Sequence, residues 1–214
     1  MAILKKEFVD FDSLSFSHGF HAEIAHGDIY SIELDIADVY LDVLDVEQRG
    51  TAIHIGLDTT GKPSRVRSGH LKATITMPEL RALAITSGGG AAISGFESGD
   101  DFAVSVSGGG HITGDLKLGD LAADVSGGSR MTLTGSADDI KLNATGGSKV
   151  DLSDFVAGNA MVNATGGSKV QLNIDGNLYA NATGGSKVAY QGEATVSGVH
   201  TSGGSMVKKA TINV

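Results

Sequence analysis

The stretch NATGGSKV, Asn143–Val150, recurs at Asn163–Val170 and again at Asn181–Val188. An octet repeated about twenty residues apart is either a binding loop multiplied for avidity or a corner that a regular backbone turns once per lap. Working outward, the Ser or Thr before each Gly-Gly stands at Ser87, Ser107, Ser126, Thr145, Thr165, Thr183 and Ser202, with spacings of 20, 19, 19, 20, 18 and 19. Periods of this length mark a solenoid or another repeat architecture. The flanks repeat as well. LAADVSGGSRMTL (Leu121–Leu133), IKLNATGGSKVDL (Ile140–Leu152) and LYANATGGSKVAY (Leu178–Tyr190) align without gaps.

Within each copy the apolar residues alternate. Leu121, Ala123 and Val125 fall on one face and Ala122, Asp124 and Ser126 on the other; beyond the glycines, Val150 and Leu152 oppose Lys149 and Asp151. Alternation with a period of two over four to six residues is the mark of a half-buried strand, not a helix. Each copy therefore holds two short strands around a Gly-Gly corner, followed by a less regular third side such as Leu116–Leu118 or Phe155–Ala157. About 19 residues at roughly 3.3 Å each give a contour near 60 Å, which closes one lap, and parallel laps stack at about 4.8 Å. The fold expected is all-β: a parallel β-helix, or solenoid, with rungs of about 19 residues. It is expected to be right-handed, as crossovers between parallel strands are. A propeller is excluded because its blades need about 40 residues. Met131 shares its inward position with Val150, Val170 and Val188 and is core.

Before Leu80 the period fades. Tyr30, Ile32, Leu34 and Ile36 alternate as a strand, Leu44–Gln48 and Ala52–Leu57 flank an Arg49-Gly50 turn as a hairpin, and Leu71–Met77 is a strand that Pro78 ends. Asp58–Ser68 is the one long polar loop. Residues 1–79 are read as strands and a hairpin that cap one end of the solenoid, residues 80–214 as its repeated rungs, and the whole as one domain.

Composition narrows the function. With no Trp, few aromatics and 31 Gly against 2 Pro, the core is aliphatic and the turns are many. The absence of Cys excludes disulfides and thiolate metal sites. A net charge of −9 argues against a nucleic-acid partner. MAILKKEFVDFDSLSF holds no apolar run of signal-peptide length, and no segment is long enough to span a membrane. As written, the chain is either cytoplasmic or an exported protein without its signal.

FDSLSFSHGFHAEIAHGD, then a hairpin, then KATITMPELRALAITSGGG, then SGGS-type repeats to the end, resembles the head GIN domain family of auto-transporter adhesins over nearly all of residues 8–210. The resemblance implies a right-handed β-helix and export to the cell envelope or beyond. It brings no catalytic residues. Lys149, Lys169 and Lys187 depart from the family pattern, which implies acidic or neutral residues there.

Each candidate for chemistry competes with a structural role. Two glycines supply the positive φ of a tight corner at Gly127-Gly128, Gly146-Gly147, Gly166-Gly167 and Gly184-Gly185, and no copy continues into the Lys-Ser/Thr and helix of a nucleotide loop. Asn143, Asn163 and Asn181 satisfy the glycosylation sequon, yet stacking sets them in one column between Asp124 and His200, as a hydrogen-bonded ladder. Calcium in the manner of glycine-rich β-rolls needs an Asp after each turn, where this chain has Ser. His18, His21 and His26 form a weak metal candidate, because alternation parts His18 from His21. Asp138, Asp139, Asp151 and Asp154 do not share one column, which argues against a polysaccharide lyase or hydrolase. Tyr179 faces out beside Asn181.

The remaining feature is a cationic column. His111, Arg130, Lys149, Lys169 and Lys187 hold one outward position in successive laps, either a solvated face on which Lys guards a flat strand surface or a basic stripe suited to an acidic polysaccharide. The reading is a non-enzymatic surface or envelope adhesin for glycans or other envelope components, with no cofactor and no metal. A structural module that self-associates end to end is the alternative, and a carbohydrate-active enzyme comes third. Lys208 and Lys209 on the final rung favour a monomer or weak oligomer.

Overall fold

The computed structural model describes residues 1–60 and 69–210. Strand makes up 63% and helix 3%, so the all-β expectation holds. Seven strands precede the glycine-rich region: β1 (Ala2–Lys6), β2 (Ser13–Phe16), β3 (His21–His26), β4 (Ser31–Ile36), β5 (Leu44–Arg49), β6 (Ala52–Leu57) and β7 (Leu71–Met77). Then come β8 (Ala82–Ile85), β9 (Gly90–Phe96), β10 (Phe102–Val106), β11 (His111–Lys117), β12 (Leu121–Val125) and the long β13 (Arg130–Ala144) and β14 (Lys149–Ala164). Last are β15 (Lys169–Ile174), β16 (Asn177–Ala182), β17 (Lys187–Gln191), β18 (Thr195–Thr201) and β19 (Met206–Lys209).

These stack as a parallel β-solenoid of about 7 turns, about 19 residues apart. One ladder ascends through β6, β2, β8, β10, β12, the second halves of β13 and β14, β16 and β18. The other ascends through β7, β3, β9, β11, the first halves of β13 and β14, β15, β17 and β19. Chain order and rung order part company near the start. The lap formed by β2 and β3 lies between the β6–β7 lap and the β8–β9 lap, so part of residues 1–79 is solenoid. The rest covers its end with antiparallel strands: β5 on β6, β4 on β7, and β1 on β4. The expected Arg49-Gly50 hairpin is the β5–β6 pair, with Gly50 at φ 62. The Asp58–Ser68 loop lies, beyond Thr60, outside the described residues.

The corners follow the glycines, with one shift of register. Gly166 and Gly167 take φ 66 and 80, and the other pairs match within a few degrees. A Cβ on Gly166 would sit 3.2 Å from the Gly146 nitrogen one rung down, whereas one on Gly167 would meet open space. Pairing Ile85 with Val106 sets Thr86, not Ser87, level with Ser107. Ser87 instead occupies the first glycine's place, at φ 63, and His18 does so a rung below, at φ 59. Behind four of the corners a serine is buried: Ser129, Ser148, Ser168 and Ser186. Ser168 and Ser186 donate their hydroxyls to the Thr165 and Thr183 carbonyls at 2.7 and 2.8 Å. Such a bond satisfies a carbonyl that the turn frees.

Inward residues form continuous columns. Met131, Val150, Val170 and Val188 stack in register and are buried. Beside the corners run Val125, Ala144, Ala164 and Ala182. Phe11, Phe16, Phe20 and Phe102 fill the N-terminal half, and Phe155 the bend after β14 begins. Each buried Val or Leu contributes about 1.5–3 kcal/mol, so the aliphatic columns carry the fold without Trp.

Candidate functional site

Parallel stacking turns a once-per-lap residue into a line at a pitch of about 4.8 Å. Backbone register places His111, Arg130, Lys149, Lys169 and Lys187 side by side on β11, β13, β14, β15 and β17, all exposed. Adjacent unit charges at this pitch repel by about 0.9 kcal/mol in water, less when long side chains splay and salt screens. Among the described residues, Arg130, Lys149, Lys169 and Lys187 make no ion pair. The neighbouring outward column, Thr113, Thr132, Asp151 and Gln171, holds one carboxylate, and its Oδ1 accepts the Ser153 hydroxyl at 2.7 Å.

The line extends further than the repeats imply. Gly90 pairs with both His111 and His21, and His21 with Lys72. The His111 ring lies over Gly90, in the space a side chain there would need, with its centroid 5.4 Å from that of His21. Lys72 is bound to Glu23 at 2.8 Å. Sequence reasoning missed His21 because its lap is out of order in the chain.

Other candidates separate. His18 sits at a corner with its Nδ1 2.9 Å from the Ser17 hydroxyl, His21 faces out, and His26 packs edge-on against Phe96. No group of three metal-ligating side chains comes together among the described residues. Asp138 and Asp139 lie at the bend before the other ladder, while Asp151 faces out on β14 beside the cationic column. Asn143 donates to Asp124 at 2.8 Å and Asn163 to Asn143 at 3.2 Å, so the ladder exists. Asn181 and His200 follow in register without side-chain bonds to it, and the His200 ring instead meets Tyr179 edge-on at 6.0 Å.

A second ladder went unread. Asp120 N–H donates to Asp101 Oδ1 at 2.9 Å, Asn159 Nδ2 to Asp139 Oδ1 at 2.8 Å, and Asn177 Nδ2 to Asn159 Oδ1 at 3.1 Å. Its signal is in the sequence: an Asp or Asn stands just before the first inward residue of each rung, at Asp101-Phe102, Asp120-Leu121, Asp139-Ile140, Asn159-Ala160 and Asn177-Leu178. One rung below, Glu79 and then Asp100 hold the Arg81 guanidinium above the usual arginine value, first through a side-chain hydrogen bond.

The family model described as "Putative auto-transporter adhesin, head GIN domain" matches residues 10–194. Three crystal structures share the fold at low identity. A "putative adhesin" from Bacteroides fragilis has a TM-score of 0.88 at 15% identity, covering 98% of this chain and 96% of that one. A "putative lipid binding protein" from Parabacteroides distasonis has a TM-score of 0.76 at 17% identity, and a "putative adhesin" from Parabacteroides merdae 0.70 at 14%, with the same coverage. No curated protein matches the chain.

Proposed function

Because the chain belongs to the auto-transporter adhesin head GIN domain family, we propose that it is an exported, non-enzymatic adhesion module whose cationic column holds an acidic polysaccharide of the cell envelope. The observation that carries this reading is the unpaired line Arg130, Lys149, Lys169 and Lys187 on a protein of net charge −9. Four cations kept unneutralised at rung spacing work against the fold, and a polyanion relieves that repulsion. Each contact is weak, but a linear polymer meets several evenly spaced charges at once, so the contacts add. Among the described residues, no helix is long and apolar enough to cross a membrane.

The test is the triple variant Lys149→Gln, Lys169→Gln, Lys187→Gln against alginate oligomers in buffers of rising salt. Wild type binds at low salt with a steep salt dependence. The variant loses most of the affinity, shows a flatter salt slope, and unfolds at the same urea concentration or slightly higher. Wild type that ignores the polyanion at low salt sinks the proposal and leaves the column a solvated face.

A further inference from the structure

A groove of about 710 Å³ runs along the other ladder, from Asp101 on one rung to Ser197 on another. Six rungs at about 4.8 Å make it roughly 24 Å long, a length that suits one extended polymer lying along the axis. Its floor is the outward column Ala103, Ala122, Lys141, Met161 and Tyr179. Two alanines leave room above the floor at one end, while Met161 and Tyr179 remain 50% and 38% exposed at the other. The Tyr179 ring is supported from above by Gly198, where an added Cβ would come within 2.9 Å of it. The ring is 38% exposed and meets His200 edge-on at 6.0 Å, so it is a partly open aromatic platform.

The wall decides the ligand. Asp101, Asp120 and Asp139 stand on three successive rungs and accept only the two ladder bonds described above, so at least one carboxylate oxygen of each has no partner among the described residues. The nearby cations are fewer: Arg81 is already held by Glu79 and Asp100, and Lys141 stands alone. A wall of acceptors calls for donors and repels an anion. An extended peptide is poorly served here, because the backbone groups of these strands already bond the rungs above and below, leaving no strand edge to join. Sugars bring hydroxyl donors at every unit and apolar ring faces for the Ala, Met and Tyr floor.

We infer that this groove binds a linear glycan whose sugars carry free amines, lying along the solenoid axis with a ring on Tyr179 and its amines toward Asp101, Asp120 and Asp139. The site is separate from the cationic column and does not depend on it.

The probe is a β-1,4-linked glucosamine hexamer, with its fully N-acetylated counterpart and an oligouronate as comparisons, titrated by calorimetry at low salt. The glucosamine hexamer binds saturably and the other two at least tenfold more weakly. Tyr179→Ala weakens binding about 3- to 10-fold. Asp120→Asn with Asp139→Asn weakens it further, with unchanged circular dichroism and urea midpoint for both variants. The Lys149, Lys169, Lys187 triple change leaves it intact, which separates this site from the column. No saturable binding at millimolar hexamer overturns the inference. So does equal binding of the N-acetylated or uronate oligomer, or a Tyr179→Ala variant altered only in its sedimentation.

Discussion

At the scale of single residues, the four buried corner serines share a place but not a fate. Ser168 Oγ reaches the Thr165 carbonyl at 2.7 Å, while Ser129 Oγ is buried without a partner among the described residues. A buried hydroxyl that bonds contributes about 0.5–1.5 kcal/mol, and one left unpaired opposes folding by a similar or larger amount. Ser168→Ala is therefore expected to lower the melting temperature by about 2–4 °C, and Ser129→Ala to leave it unchanged or raise it. Differential scanning calorimetry on the two variants decides, and equal losses would show that hydrogen bonding does not distinguish the corners. The φ values near 60° at Ser87 and His18 make the same point about the glycines. At these two corners a side chain is tolerated in the left-handed position, at a cost of roughly 1–2 kcal/mol.

At the scale of strands, side-chain ladders fasten rung to rung, and their worth depends on whether the bonds close. Asn143 donates to Asp124 and accepts from Asn163, whereas Asn181 has only the register. Asn143→Ala should shift the urea midpoint down by the equivalent of about 1–2 kcal/mol, and Asn181→Ala by less than half of that; comparable shifts would mean that the column is held by backbone alone. This ladder was legible in the sequence because its members repeat with the glycines. So were the strands, the corners, the inward column through Met131 and the outward line from His111 to Lys187, since in a solenoid a sequence period is a spatial contact. The lap of β2 and β3 was not legible. It carries no Gly-Gly, its corner is His18-Gly19, and it inserts between strands that follow it in the chain. Its displacement also hid His21 from the cationic line. The one-residue shift at Ser87 was hidden by a run of three glycines, within which composition alone cannot choose the pair that turns. The Asp/Asn wall repeated in plain view, but at the bend rather than the glycine corner, where acids on turns read as merely solvated.

At the scale of the whole molecule the two ends differ. The N-terminal end is covered by three antiparallel pairings and Phe-rich packing, while among the described residues the C-terminal rung pairs on one side only: β18 with β16 and β19 with β17. Val196, Val199 and Met206 are exposed there at 42%, 41% and 47%. An uncovered parallel rung with apolar side chains is a template for another chain, and charged side chains on the edge strand are the usual deterrent. Lys208 and Lys209, both exposed on β19, stand in that place. In a stack whose repeats touch only their neighbours, this rung also opens first, because it has a single interface to lose. Hydrogen exchange should therefore be fastest along β18 and β19 and slowest along β13 and β14. Wild type should sediment as a monomer at micromolar concentration. The double change Lys208→Thr, Lys209→Val removes the deterrent without touching a buried contact, so it should associate in a concentration-dependent way and slow exchange in β18 and β19. Filaments of the wild type under the same conditions would instead make end-to-end assembly the native state, with the two lysines part of its interface rather than its guard.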